Sequence, residues 1–206
     1  MSIHTKLRLG GIILCGGKSA RMGSDKAWLP VGHEHMLQRV AGVVQAAASP
    51  TVVVAGQGQR LPELGKGVEI ATDRYPDRGP LEGLLSGLEL VSSRCEAVFV
   101  TGCDYPFLDP GLVSFFAERF GDAEAVMARV AGQLHPLAAL YRVSVVEQAR
   151  ELYATHRRSM HALAERCVAH VVESEELVSA PGGTSSFINV NTPAEYESAL
   201  VRLGRR

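Results

Sequence analysis

A chain of 206 residues, 46% of them hydrophobic, is long enough for one domain with a proper core. A formal net charge of −1 leaves no basic excess to draw it to nucleic acid, so any anion binding must be local. Met1 to Arg8 lacks the apolar core of a secretory signal, and no apolar run reaches the roughly 20 residues that span a bilayer, so a cytoplasmic location is expected.

The first element is an apolar run, Ile12 to Leu14, which reads as a buried parallel strand. It enters a loop with three glycines (Gly16, Gly17, Gly23) and three cations (Lys18, Arg21, Lys26). Glycine lets backbone N–H groups approach an anion without a Cβ in the way, and the cations neutralise it, so the expected guest is rich in phosphate. A helix from Met36 to Ala48 follows, with Leu37, Val40, Val44 and Ala47 on one face. Thr51 to Ala55 and Val68 to Ala71 read as strands, and Asp73 stands just past the second. Asp77-Arg78-Gly79-Pro80 punctuates the chain, with Pro80 suited to a helix first turn. Leu81, Leu84, Leu85, Leu88 and Val91 then recur at helical spacing. Gly79, Gly83 and Gly87 form a stripe four apart on that helix, at about 1 kcal/mol for each interior glycine, so the sheet or a ligand must approach closely there.

Ala97 to Val100 is a further apolar strand, ending at Gly102-Cys103-Asp104-Tyr105-Pro106. Asp109 is the expected N-cap of a helix that turns Leu112, Phe115 and Phe116 inwards. Strands are expected over Ala123 to Arg129 and Pro136 to Tyr141, with Val130 to His135 as the turn between them. Helices follow from Val143 to Tyr153 and up to about Arg166, then a strand over Val168 to Val172. Pro181 to Ser186 is turn-rich, Phe187 to Asn191 reads as the last strand, and Thr192-Pro193-Ala194-Glu195 is a capping box opening the final helix. The four cysteines, Cys15, Cys95, Cys103 and Cys167, form no Cys-x-x-Cys pair, which argues against a zinc site and fits a reducing compartment.

Strands alternating with helices imply an α/β fold: a single Rossmann-like domain, a three-layer sandwich around a mostly parallel sheet. Ligands of such sheets sit outside the carboxyl ends of the strands. The Gly16 to Lys26 loop, Asp73 and Asp104 all fall at that end. Asp104 is the strongest candidate on its own residues, because a carboxylate at the end of a buried strand needs a partner and Mg²⁺ takes carboxylate and substrate phosphate together.

Two familiar phosphate loops are excluded. A Walker A loop needs glycine five positions before Gly17, where Ile12 stands. A dinucleotide fingerprint fails in the first loop, and fails again at Gly56-Gln57-Gly58, where Leu61 holds the place of the third glycine.

Leu14 to Lys26 instead resembles the signature loop of nucleotidyltransferases, Leu-Ala-Gly-Gly-x-Ser-x-Arg-Met-Gly-x-Asp-Lys, with Cys15 in place of the alanine. Within that superfamily the chain looks like the molybdenum cofactor guanylyltransferases of the bacterial MobA type, and the likeness runs from Gly11 to about Glu197. It implies a Cys-Asp-x-Pro motif at Cys103 to Pro106 with Asp104 as metal ligand for Mg²⁺, and a catalytic set of Asp104, Lys26 and Arg21. Arg21 and Lys26 would clamp the triphosphate, a positioning and electrostatic task, while Lys18 reads as a solvated loop lysine. The nucleotide is expected against Leu14, Cys15, Gly16 and Gly17, with Asp73, Gly79 and Pro80 as the second contacting segment.

His135, Asn189 and Asn191 also fall in segments that match the family. The asparagines are candidates to contact metal or ligand, and His135 to position substrate. Arg157 and Arg158 are candidates for the pterin phosphate by charge alone. The implied substrates are GTP and the molybdopterin-bearing cofactor, the N-terminal part binding nucleotide and the C-terminal part the cofactor substrate, with transient contact to proteins that supply or accept that cofactor. The products are its guanine dinucleotide form and pyrophosphate. Two rivals stand beside this reading. One is a cytidylyltransferase, whose loops tend to show Leu-Ala-Ala-Gly; the other is a nucleotide-binding regulatory module without turnover.

Overall fold

The computed structural model describes residues 7–16, 25–75 and 78–204. In chain order the strands are β1 (Leu9–Leu14), β2 (Pro30–Val31), β3 (Glu34–His35), β4 (Thr51–Ala55), β5 (Val68–Thr72), β6 (Ala97–Gly102), β7 (Ala125–Val130), β8 (Gln133–Arg142) and β9 (Ala169–Glu173). The α-helices are α1 (Met36–Ala47), α2 (Pro80–Val91), α3 (Pro110–Glu118), α4 (Val146–Ala154), α5 (Met160–Arg166) and α6 (Pro193–Leu203). Seven strands form one sheet in the order β5-β4-β1-β6-β8-β7-β9, and β2 and β3 pair separately as a short antiparallel ribbon. Every pairing in the large sheet is parallel except those made by β8.

The central strands carry continuous apolar runs because both faces are covered. Ile13, Val53, Phe99 and Leu140 join one core with Leu37, Val40 and Val44 of α1 and Leu112 and Phe116 of α3. Their neighbours Ile12, Val52, Val98 and Tyr141 face the opposite way, into a core with Leu84 and Leu88 of α2, Leu152 of α4 and Leu163 of α5. The α/β/α sandwich expected from the alternation of elements is the fold observed. A smaller third core gathers Leu29, Val31, Met36, Phe107, Val190 and Ala199, and so docks the β2-β3 ribbon and α6 beside the sheet.

Register aligns the strand ends that matter. Leu14 lies opposite Val54 of β4 and Gly102 of β6, and Val54 lies opposite Ala71 of β5. Residues 15–16, 56, 73 and 103–104 therefore leave the sheet side by side.

Most element ends fall within a few residues of the sequence expectations, and three differences are larger. The β7-β8 turn is only Ala131-Gly132, both at positive φ (49° and 78°), so β7 reaches Val130 and β8 already begins at Gln133, while the start of β7 lies at Ala125 rather than Ala123. Phe187 to Asn191 is not a strand. Both sides of β6 are already taken by β1 and β8, and the segment passes the sheet end with a 3-10 turn (Gly183–Phe187) and one bond from Val190 N–H to the Asp104 carbonyl, 2.9 Å. The β2-β3 ribbon has no counterpart in the apolar pattern.

The glycine stripe on α2 answers to the sheet. A Cβ on Gly87 would lie 2.7 Å from Ile12 Cγ2, and one on Gly83 would lie 3.0 Å from Leu14 Cδ2. Gly42 on α1 is exposed and would meet nothing within 4 Å. Gly42→Ala is therefore expected to stabilise the fold by about 0.5–1 kcal/mol, through helix propensity alone. Gly87→Ala should destabilise it by about 1–2 kcal/mol, because overpacking outweighs the same propensity gain. Urea unfolding of the two variants checks this, and equal gains would refute the close-approach argument.

Candidate active site

A cleft of about 500 Å³ opens at the aligned strand ends. Leu14, Cys15, Gly16, Lys26 and Asp104 line it from the β1 and β6 side, and Asp73, Gly79 and Pro80 from the β5-α2 side. All were expected there from the sequence. Gly17, Lys18 and Arg21 lie outside the described residues.

Lys26 is the centre of the polar arrangement. Its Nζ donates to Asp104 Oδ2 at 2.8 Å and to Asn191 Oδ1 at 2.7 Å. The Lys26 and Asp104 side chains are each 16% exposed, sheltered but reachable. Each partner is held by local structure. Asp25 caps the 3-10 turn Lys26–Trp28 through a bond from the Ala27 N–H to Oδ1, 3.0 Å. Asp104 follows Gly102, where a Cβ would stand 2.5 Å from Asp104 Oδ1, so glycine makes room for the carboxylate. Asn191 is fixed by the capping box of α6: Glu195 Oε2 accepts from the N–H of Asn191 at 2.7 Å and of Thr192 at 3.0 Å. Those bonds hold the Glu195 carboxyl below the usual carboxylate range. The cap read from the sequence thus aims Asn191 at Lys26, while Asn189 is exposed.

Cys15 and Cys103 lie side by side, each just past the end of one of two adjacent strands. The hydrogen bond between the thiols, together with burial, pushes the Cys103 thiol well above its ordinary range, so it stays protonated. Gly16 lets the Asp73 carboxylate approach, since a Cβ there would lie 2.6 Å from Oδ2. Asp73 Oδ1 is buried without a hydrogen-bond partner among the described residues. Burial, with the nearby Glu82 carboxylate adding to it, pushes the Asp73 pKa up to about 6. The carboxyl is charged at neutral pH and has an acceptor to spare.

Sequence reading missed Arg78 and Gln57, which also line the cleft. It missed Gln59 too, whose side chain bonds Cys15, Asp25 and Gly56. Residues in irregular turns carry no periodic signal; their place is fixed only once β4 stands beside β1. His135 packs on Phe187, ring centroids 5.2 Å apart, and desolvation with the nearby His161 lowers its pKa, so it is neutral at pH 7. Arg157 pairs with Glu165 at the surface, 2.7 Å. The Arg158 carbonyl accepts the Leu81 N–H beside Gly79, and its guanidinium lies over Tyr153. Neither arginine is among the residues lining the cleft. No cluster of three or more His, Cys, Asp or Glu that would cage a metal occurs among the described residues. No helix there is long and apolar enough to cross a membrane.

Residues 11–171 match the family model described as the MobA-like NTP transferase domain. The chain is 35% identical to a probable molybdenum cofactor guanylyltransferase of Mycobacterium avium, over 93% of this chain and 95% of that protein. It is 31% identical to one of Pelotomaculum thermopropionicum, over 95% and 93%. Among solved structures it resembles the molybdopterin-guanine dinucleotide biosynthesis protein A of Archaeoglobus fulgidus, with a TM-score of 0.77, 19% identity, and 96% and 100% of the two chains covered.

Asp73 makes stability depend on pH. A carboxyl whose pKa is raised by folding stabilises the protonated folded state below its ordinary value of 3.8, and that contribution is lost as pH rises through about 6. Asp73→Asn should therefore gain stability relative to wild type between about pH 4 and pH 7, by on the order of 1 kcal/mol after solvent screening. Unfolding curves of both proteins across that window test it; a constant difference would contradict the assignment.

Proposed function

The chain belongs to the MobA-like NTP transferase family, and from that premise we propose that it transfers GMP from GTP to the terminal phosphate of the molybdopterin-bearing molybdenum cofactor, releasing pyrophosphate. The observation that carries the reading is the Lys26 ammonium held between Asp104 and Asn191 at the mouth of a cleft shaped by strand ends. Curated relatives that match over nearly their whole length bear the guanylyltransferase name, which disfavours both rivals.

In this reading the triphosphate lies over Gly16 and Lys26. Arg21 is its second clamp. An oxygen of the cofactor's terminal phosphate attacks the α-phosphorus in line; the new P–O bond forms as the bond to the bridging oxygen breaks, and its electron pair leaves with pyrophosphate. The attacking oxygen is already anionic at neutral pH, so no side chain need act as general base, in keeping with a His135 that sits apart against Phe187. Lys26 turns from Asp104 to the phosphates and neutralises charge that grows on the leaving group. The donor set suits a hard divalent ion such as Mg²⁺: one carboxylate, Asp104, and one amide oxygen, Asn191, leave most positions to water and phosphate. Bound there, such an ion would polarise the α-phosphate and balance charge on pyrophosphate.

Base selection rests on Asp73 and on backbone groups of Leu14 to Gly17 and Gly79-Pro80. Guanine offers N1–H and an exocyclic amine on one edge, and Asp73 supplies a charged acceptor with a free oxygen. A base without that donor pair leaves polar groups unpaired, at about 1–3 kcal/mol each.

Asp104→Asn is expected to lower kcat by about 100-fold or more at saturating Mg²⁺, with the fold intact by thermal melt. Turnover within a few-fold of wild type would remove Asp104 from the mechanism. In steady-state competition, GTP should exceed ATP and CTP by at least about tenfold in kcat/KM, the lower bound set by one unpaired group. A preference for CTP would establish the cytidylyl rival instead.

A further inference from the structure

Gln59 stands where the turn after β4 meets the neck of the nucleotide loop. The turn is closed twice, by the Gln59 N–H on the Gly56 carbonyl (3.1 Å) and by the Gly56 N–H on Gln59 Oε1 (2.9 Å), with Gly58 at a φ of 70°. This double closure leaves the Gln59 amide nitrogen pointing across to the loop. There Nε2 donates to Asp25 Oδ2 at 2.9 Å and to the Cys15 carbonyl at 3.3 Å. Cys15 stands before the loop and Asp25 after it, so one side chain ties both ends. The next residue adds a second tie: the Arg60 carbonyl accepts from Trp28 Nε1 at 2.8 Å. Asp25 and Trp28 bracket Lys26.

We propose that Gln59 is a positioning residue that sets where Lys26 meets the triphosphate, acting through Asp25 and the 3-10 turn rather than by touching substrate. The proposal rests on the functional reading above. A flexible lysine finds phosphate from many directions, but clamping one phosphate needs its backbone held, and the described bonds to Asp25 and Trp28 from Gln59 and Arg60 supply that hold. Asp25 is doubly engaged, its Oδ1 on the Ala27 N–H and its Oδ2 on Gln59, so loss of the Gln59 donor frees the cap to rotate.

The test compares wild type, Gln59→Ala, Gln59→Glu and the double variant Gln59→Glu/Asp25→Asn. Gln59→Glu removes the donor and sets two carboxylates against each other; the double variant restores the shorter bond, to residue 25, with donor and acceptor exchanged, and leaves the longer one to the Cys15 carbonyl unmade. The expected result is a fall in kcat/KM for GTP of about tenfold or more for Gln59→Glu and a smaller fall for Gln59→Ala, with KM for the molybdenum cofactor unchanged. The double variant should recover most of the loss. Trp28, the single tryptophan of the chain, gives a reading that needs no turnover: its fluorescence should become more open to acrylamide quenching in Gln59→Glu and revert in the double variant. A double variant as impaired as Gln59→Glu, or a Gln59→Glu enzyme within twofold of wild type, would overturn the proposal. A wild type that releases no pyrophosphate from GTP would overturn the functional reading instead, and unchanged Trp28 quenching in Gln59→Glu would then overturn the positioning role of Gln59 on its own evidence.

Discussion

The site depends on one ammonium group shared between a carboxylate and an amide. Lys26, Asp104 and Asn191 come from three distant parts of the chain, 78 and 165 residues from the lysine, and meet within hydrogen-bond distance. A sheltered carboxylate at a strand end needs such a counter-charge, and a sheltered lysine needs acceptors for its protons. The resulting contact is poised rather than tight. Both side chains retain some exposure, and under the proposed function an incoming phosphate would compete for the lysine while a hard cation took the carboxylate.

The architecture exists to bring these groups to one edge. Parallel pairing of β1 with β4 and β6 puts Cys15-Gly16, Gly56 and Cys103-Asp104 at the same end of the sheet, and β5 adds Asp73. α2 packs close enough to complete the wall only because Gly83 and Gly87 carry no side chain towards Leu14 and Ile12. On the other flank β8 runs antiparallel, and its register against β7 shifts between Val126 and Ala128. Ala138, fully buried, takes a φ of 74° in that bulge, and its neighbour Leu137 lines the cleft. Bulges commonly re-aim side chains beside active sites.

Much of this was legible from residue order alone. The apolar runs marked the inner strands, and the Asp109 and Thr192-Glu195 caps marked where helices begin, because these signals are local. Asp104 was legible for a different reason: a carboxylate directly after a buried strand is costly unless it has work to do. Phe187 to Asn191 misled because an apolar stretch with asparagines satisfies a strand pattern, yet no free edge of β6 remained for it. Gln59 carried no sequence signal, since its partners Cys15 and Asp25 are neighbours only through the β1-β4 pairing. Cys15, the departure from the family's alanine, is accommodated by its place beside Cys103 in the core, where the two free thiols share a hydrogen bond.

The most direct test of the central claim is a crystal structure with a GTP analogue whose α–β bridge resists cleavage, grown with Mn²⁺ so that anomalous scattering locates the metal. The account predicts the triphosphate over Gly16, Lys26 Nζ on phosphate oxygens, the metal bound to the Asp104 carboxylate, and the guanine edge against Asp73. A nucleotide bound elsewhere, with Lys26 still bridging Asp104 and Asn191 as it does in the free protein, would contradict it.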